Sequence, residues 1–555
     1  MKILVISLLR LGDILMATSV LRSLRREYPG AELHVLINGQ FQSVANIIPF
    51  VNKVYSFDRA GIQQILGSQD RNILEAYFRI EDLVEQLQTE GYDQVVNLTH
   101  NRLSGWMTAL IACPNTRGVV FGVNGKFSVG SGWFEYLNDF TDPSSDNVFH
   151  FVDVFHYGAG LSGADRRIEL LETKAGAAFA EQTYTKYADK KRILIQACSN
   201  ENKKTLAPKK WNKLIRVLQN LEPGIQVFIL GAPNEKEAVA AICADNPRLI
   251  PVICNLEQAY SLIKQGHLLI TVDTSIKHIA AATKIKILEI SVGSSEYRKT
   301  GAYTPGAVIL QGVVPCAPCS HRGGCTQPTH ECAEKISAEM VAMVASGMLR
   351  QDEMALRTLA HEYKDEVLLL KTHVNSRGDW AAYPLAESFS AKEINSWIDR
   401  ASFKLYLQKT HEKAVGEYGT EGLELKQLLE NIFPDRAKQD WVTELKSLEK
   451  NVTWFETQVG EFLNKLKSLL GAMHEPSRFS QYIVELEEFC VQAEQSNYFK
   501  SYSRQLLLSI KDSSADNNQF QVVKKLREKL SHAHQRTKIE LKLIRGLQTG
   551  FMEII

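Results

Sequence analysis

Along residues 1–170, short apolar runs alternate with amphipathic stretches. Lys2–Ser7 is a continuous apolar run of strand length, and Ile14–Glu27 has helical spacing, with Leu15, Val20, Leu21 and Leu24 on one face. Glu32–Ile37, Val54–Phe57 and Gln94–Asn97 read as further strands, and Glu75–Thr89 as a helix between two of them. Strand-helix alternation of this kind predicts a parallel sheet with helices on both faces.

A second series of the same type spans 190–348. Ile193–Ala197, Gln226–Leu230, Leu249–Cys254, Leu268–Val272 and Ile285–Ile290 read as strands. Pro208–Asn220, Asn234–Ala244, Leu256–Lys264 and Ser275–Thr283 read as the helices between them. The polar stretch Glu172–Lys191 is the expected linker. The fold class is therefore α/β, with two Rossmann-like, doubly wound domains facing a cleft, and such folds bind nucleotides at the C-terminal ends of their strands.

From 350 to 555 the character changes. Gly and Pro thin out and no strand pattern is read there. Trp441, Leu445, Leu448, Val452, Phe455, Val459, Phe462, Leu466 and Leu469 recur at alternating spacings of four and three, a heptad seam. A second seam runs Val523, Leu526, Leu530, Ala533, Thr537, Leu541, Ile544, Leu547. These residues read as an all-α antiparallel bundle at the C-terminus. Its stripes pack against each other, or serve as a surface for a homo-oligomer or a protein partner.

Composition narrows the function classes. The chain has 555 residues, too many for one core, and 64 Lys+Arg against 63 Asp+Glu leave a net charge of +1. Nothing here attracts nucleic acid. No run reaches the length of a membrane span. The opening MKILVISLLRLGDILM is interrupted by Arg10 and Asp13 and is followed by no small-residue cleavage site, so it reads as a buried strand entering a loop rather than as a signal peptide. Nine cysteines are too few for a disulfide scaffold, and four of them cluster, which points to a reducing, cytoplasmic setting.

Two loops can carry chemistry. Leu8-Leu9-Arg10-Leu11-Gly12-Asp13 joins the first strand to the first helix. Gly12 suits a tight turn, and Arg10 and Gly12 line the mouth of the expected cleft. Asp13 is either a helix N-cap or a general base held at a strand end. The second loop, Ile270 to His278, ends a strand and opens a helix. Asp273, Thr274 and Ser275 all suit capping, so the helix is either a capped core element or presents backbone N–H groups to a pyrophosphate, with His278 one turn inside.

These segments resemble glycosyltransferase family 9, the group of the ADP-heptose:lipopolysaccharide heptosyltransferases. The resemblance rests on MKILVISLLRLGDILMATSVLRSLRREYPGAEL at the start. It rests equally on Asp273-Thr274-x-x-x-His278 followed by Ala-Ala, and on Tyr297-Arg298-Lys299-Thr300-Gly301-x-Tyr303-x-Pro305-Gly306. It covers residues 1–348. It implies a GT-B fold and an inverting transfer that needs no catalytic metal. Asp13 would be the base on the acceptor hydroxyl. Lys204, seven residues before Trp211, matches the family's phosphate-contacting lysine. Glu235, after Gly231-Ala232-Pro233, matches the acidic residue that holds the donor's ribose. Asp273, Thr274 and His278 match pyrophosphate and sugar contacts. The chain departs from the family where Ser275-Ile276 replace the usual Gly-Pro or Gly, and Ser275 places a side chain where backbone approaches phosphate.

The cluster Cys316-x2-Cys319-x5-Cys325-x6-Cys332, in a segment rich in Pro and Gly, can wrap one tetrahedral ion, zinc ahead of iron. Free thiols or two disulfides are the alternatives, and His321 and His330 could substitute as ligands. With four sulfurs the ion would be structural. The expected domains are thus 1–170 on the acceptor side, 190–348 on the nucleotide-sugar side with the cysteine finger at 316–332, and 350–555 as a helical bundle. The expected partners are a nucleotide-sugar donor, ADP-heptose foremost, and a glycan, lipid-linked or protein acceptor. The expected location is the cytoplasm or the periphery of the inner membrane. The competing readings are a GT-B transferase for another nucleotide sugar and a non-catalytic scaffold. The presence of Asp13, Lys204, Glu235 and His278 together weighs against the scaffold.

Overall fold

In the computed structural model the apolar run Lys2–Ser7 forms β1, at the centre of a five-stranded parallel sheet. Described are residues 1–67, 72–122, 125, 127–139, 147–244, 246–386, 391–407, 426, 438–470, 476–495, 502, 506–507 and 519–552. They divide into two units, Met1–Ser144 with Phe149–Ala386, and Ser145–Val148 with Glu387–Ile555.

The first sheet of the first unit has the order β3-β2-β1-β4-β5. Its other strands are β2 (Glu32–Asn38), β3 (Lys53–Phe57), β4 (Gln94–Asn97) and β5 (Thr116–Arg117). Ile3, Leu4, Val5 and Ile6 are all fully buried, so the strand is apolar on both faces and shows no alternation. Each such side chain contributes about 1.5–3 kcal/mol on burial. A short antiparallel hairpin, β6 (Val119–Phe121) and β7 (Phe127–Val129), follows.

The second sheet has the order β10-β9-β8-β11-β12-β13-β14-β15. Its parallel strands are β8 (Lys191–Gln196), β9 (Ile225–Gly231), β10 (Ile250–Ile253), β11 (Leu268–Val272), β12 (Lys286–Ser291) and β13 (Val308–Gly312). The helix Pro208–Leu221 starts on a proline, whose missing N–H has no intrahelical partner to lose, and it buries Trp211, Leu214, Ile215 and Leu218 in this sheet's core.

Two expectations are corrected here. Residues beyond 350 do not form helices alone: β14 (Val367–Val374) and β15 (Trp380–Pro384) extend the second sheet antiparallel from β13. The second domain therefore runs to 386, and the helical part begins at Ala391. The run Val367-Leu368-Leu369-Leu370 has no strand periodicity because neighbours cover both faces, and pairing with β13 decides its state. The expected linker 172–191 is likewise not irregular. It contains the helix Lys174–Tyr184, capped by Thr173 Oγ1, and at Gly176 an added Cβ would lie 2.6 Å from Glu257 O.

In the second unit the helices are Ala391–Leu407, Lys438–Leu470, Pro476–Gln495 and Gln519–Met552. Both seams share one core, with Trp441, Leu445, Phe455, Val459, Leu466, Leu526, Leu530 and Ile544 nearly inaccessible. Phe462 packs at its margin, and the side chain of Leu469 lies outside the described residues. The long helices run antiparallel, since Glu449 pairs with Arg545 and, two turns on, Glu456 meets His534. Among the described residues no helix is long and apolar enough to cross a membrane.

Candidate functional site

In each sheet of the first unit the strand order reverses once, between β1 and β4 and between β8 and β11. The chain leaving a sheet at such a point opens a crevice beyond the strand ends. The loop after β1 carries Arg10 and leads into the helix Leu11–Glu27, whose first turn holds Gly12 and Asp13. The loop after β8 carries Glu201 and Lys204, and the loop after β11 carries Asp273 and Thr274.

Asp13 is not the helix cap. Arg10 occupies that position with extended backbone, and Asp13 lies in the first turn, where a carboxylate favours the helix dipole. Burial pushes its pKa above the ordinary aspartate value, while the charges of Arg10 and Lys299 and the backbone N–H of Arg10 pull it back. Gly12 has no positive φ and makes no special turn. Its role is close approach: a Cβ there would stand 3.1 Å from Cδ2 of His278. The helix start that carries Asp13 and the histidine from the second sheet are thus brought close.

His278 is buried, and desolvation first, then the charge of Lys277, lowers its pKa to about 3. Its imidazole is neutral at physiological pH, and Nδ1 finds no hydrogen-bond partner. Thr274 caps the helix Ser275–Ala281 by position only. Its Oγ1 makes no capping bond and is buried without a partner. Thr274 Oγ1 and His278 Nδ1, four residues apart, are two buried polar atoms left without a partner, and such atoms call for an explanation. Ser275 begins the helix, half-buried.

Lys204 Nζ donates to Asp273 Oδ2 at 2.9 Å and stands 3.6 Å from Glu201 Oε1. Asp273 Oδ1 accepts from Lys277 Nζ at 2.6 Å, and Lys277 also donates to Glu289 Oε1 at 2.7 Å. Glu289 Oε2 accepts from the backbone N–H of Ala302. Burial opposes the charge on Asp273, but the two ammonium groups overcome it and hold the carboxyl below the usual range. Glu235 accepts from its own turn, Ala232 N–H at 2.9 Å, and from Gln196 Nε2 at 3.2 Å, at the C-terminal end of β8 and β9.

Lys277, Glu289 and Glu201 were not among the expected site residues, and Lys299 stood only within the quoted motif. The signal for the first two was present: a lysine four residues after Asp273 in an apolar helix, and a lone glutamate inside the buried strand Lys286–Ser291. Only pairing between that helix and that strand explains them.

The four clustered cysteines are unpaired. Burial, foremost, and the neighbouring thiols raise the pKa of Cys332, and burial raises that of Cys319. Among the described residues no three His, Cys, Asp or Glu side chains converge closely enough to hold an ion. The segment braces the loop after β8: Lys203 Nζ donates to Ser320 O and Gly323 O at 2.8 and 2.9 Å. His321 turns toward Glu201, at 3.9 Å, and burial lowers its pKa to about 4.

Residues 80–330 match the sequence model of glycosyltransferase family 9 (heptosyltransferase). Lipopolysaccharide heptosyltransferase 3 of Escherichia coli (strain K12) is 24% identical over 304 residues, covering 50% of this chain and 79% of that protein. Lipopolysaccharide heptosyltransferase 1 of Campylobacter coli is 26% identical over 319 residues, covering 54% and 86%. Among solved structures, E. coli ADP-heptose LPS heptosyltransferase II aligns at 19% identity with a TM-score of 0.47, over 64% of this chain and 100% of that one.

Proposed function

From a chain that is a glycosyltransferase carrying a family 9 domain and a helical C-terminal extension, we propose an inverting transfer of a heptose-like sugar. The donor is a nucleoside diphosphate sugar, ADP-heptose foremost, and the acceptor is a hydroxyl of a glycan, lipopolysaccharide or protein. The observation that carries this reading is the close approach of Gly12, the residue before Asp13, to His278, whose helix follows the Asp273 that Lys204 holds. A carboxylate of raised pKa on one side of the crevice and an ammonium with unsatisfied polar atoms on the other suit deprotonation of an acceptor and departure of a diphosphate.

In this mechanism Asp13 takes the proton from the acceptor hydroxyl. Lys204 and the N-terminus of the helix Ser275–Ala281 neutralise the leaving diphosphate, with Thr274 Oγ1 as a further donor. Neutral His278 contacts the sugar or the phosphate without adding charge. Glu235, at the ends of β8 and β9, takes the ribose hydroxyls. The helical unit is proposed as the surface for an acceptor, a protein partner or a second copy.

A thermal-shift series with ADP-, GDP- and UDP-sugars tests the donor. ADP-heptose is expected to raise the midpoint most, because a ligand stabilises by its occupancy of the folded state. A larger shift with a uridine or guanosine sugar would assign the donor to another nucleotide.

A structural ion, zinc ahead of iron, belongs to the same proposal: four thiols lie within 17 residues, and since they do not converge in the structure the ion would have to draw them together. It would brace the loop 316–332, and every position would be filled by sulfur. Gently purified protein is expected to contain about one equivalent per chain. Metal-free protein with all four thiols readily alkylated would refute it.

A further inference from the structure

Lys277 and Glu289 are the unusual pair at this site. Both are completely buried, yet both are charged residues placed among apolar ones. Lys277 has no access to a ligand, so it cannot be a direct contact. One of its two bonds instead holds Asp273 by the carboxylate oxygen that Lys204 does not use, and the other goes to Glu289. The four groups alternate in sign, Lys204, Asp273, Lys277, Glu289, and sum to zero. Glu289 closes the row on Ala302, in the segment that also carries Lys299.

We propose that Lys277 and Glu289 are positioning residues for the donor's diphosphate, acting through Asp273 to present the Lys204 ammonium. The inference rests on the donor site proposed above. Physically, a carboxylate with one lysine partner would hold that lysine with its full charge. Shared between two lysines, Asp273 holds Lys204 in place less tightly in energy but more narrowly in position. The ammonium is then oriented and still available to a phosphate oxygen. Glu289 keeps Lys277 charged in the interior, where a lone lysine would lose its proton.

The test uses the full chain and two probes, ADP and adenosine, read by calorimetry. The paired substitution Lys277→Met with Glu289→Leu removes both charges together, a replacement that buried ion pairs often tolerate. It is expected to melt near the wild type and to weaken ADP about tenfold, the scale of one charge-assisted hydrogen bond. Adenosine, which lacks phosphate, is expected to bind unchanged. In a Lys204→Met background the paired substitution is expected to cost nothing further, because its effect runs through Lys204. Should the paired variant not fold, Glu289→Gln replaces it, with the same demand: weaker ADP, unchanged adenosine. Equal losses for both probes, no loss for ADP, or losses that simply add to that of Lys204→Met would overturn the inference alone. A wild-type chain that binds no nucleoside diphosphate would overturn the donor-site reading as well.

Discussion

Asp13→Asn is expected to lower transfer by about 10²–10⁴-fold while leaving donor affinity nearly unchanged. Asp13 lies in the first turn of the helix Leu11–Glu27, not at its cap, so its carboxylate is not consumed in closing the helix. Asparagine is nearly isosteric, and losing a charge near a helix start costs about 0.3–1 kcal/mol at most. A purely structural aspartate would therefore leave turnover almost intact. The catalytic one would not, because asparagine cannot accept the acceptor's proton. The pH profile supplies a second check with a definite sign. The base must be ionised to act, and burial raises the pKa of Asp13. Activity in the wild type is therefore expected to fall, as pH drops, at a higher pH than an ordinary aspartate would give. Steady-state kinetics across pH, with calorimetry for the donor, measures both. Near wild-type turnover in the variant would rule out the mechanism.

The largest stability effect is expected at Arg166. It is buried, and its guanidinium donates to Asp153 at 3.0 Å, to Asp379 at 2.9 Å, to the Tyr157 hydroxyl at 2.6 Å and to Arg377 O at 2.9 Å. Asp153, on the helix Phe151–Gly158, also accepts from Tyr303 and from the backbone of Trp380. Arg166→Met would take the Arg166 cation away from two buried carboxylates, and breaking a buried ion pair costs about 3–5 kcal/mol. Arg79, exposed and paired with Glu75 and Asp58, is the control, expected to cost under about 1 kcal/mol when replaced by Met. Chemical unfolding followed by tryptophan fluorescence compares them. Similar midpoints for the two variants would show that the buried cluster contributes nothing special. The consequence reaches the site, because Trp380 Nε1 holds Ala302 O, next to the segment bearing Lys299.

Local pattern alone determined a great deal here. Continuous apolar runs bounded by turns marked β1, β4 and β11 to the residue, and the four-three spacing marked both long helices of the bundle. Those signals are local because burial on both sheet faces, or along one helical stripe, dictates residue type position by position. The loops with Asp13 and with Asp273 to His278 were legible for a related reason: they follow strand ends, where an α/β fold puts its ligand. Lys204 and Glu235 were legible only through the resemblance to family 9.

What only the tertiary structure decided was pairing at long range. Val367–Val374 became a strand because β13 offered it an unpaired edge, not because of its own periodicity. Gly12 is required by a histidine 266 residues away rather than by a turn. Lys277 and Glu289 lie in apolar segments, and only the fold sets them 2.7 Å apart with Asp273 alongside. A buried charge is explained only by its partner. The partner lies on another element, and no local rule of spacing connects the two.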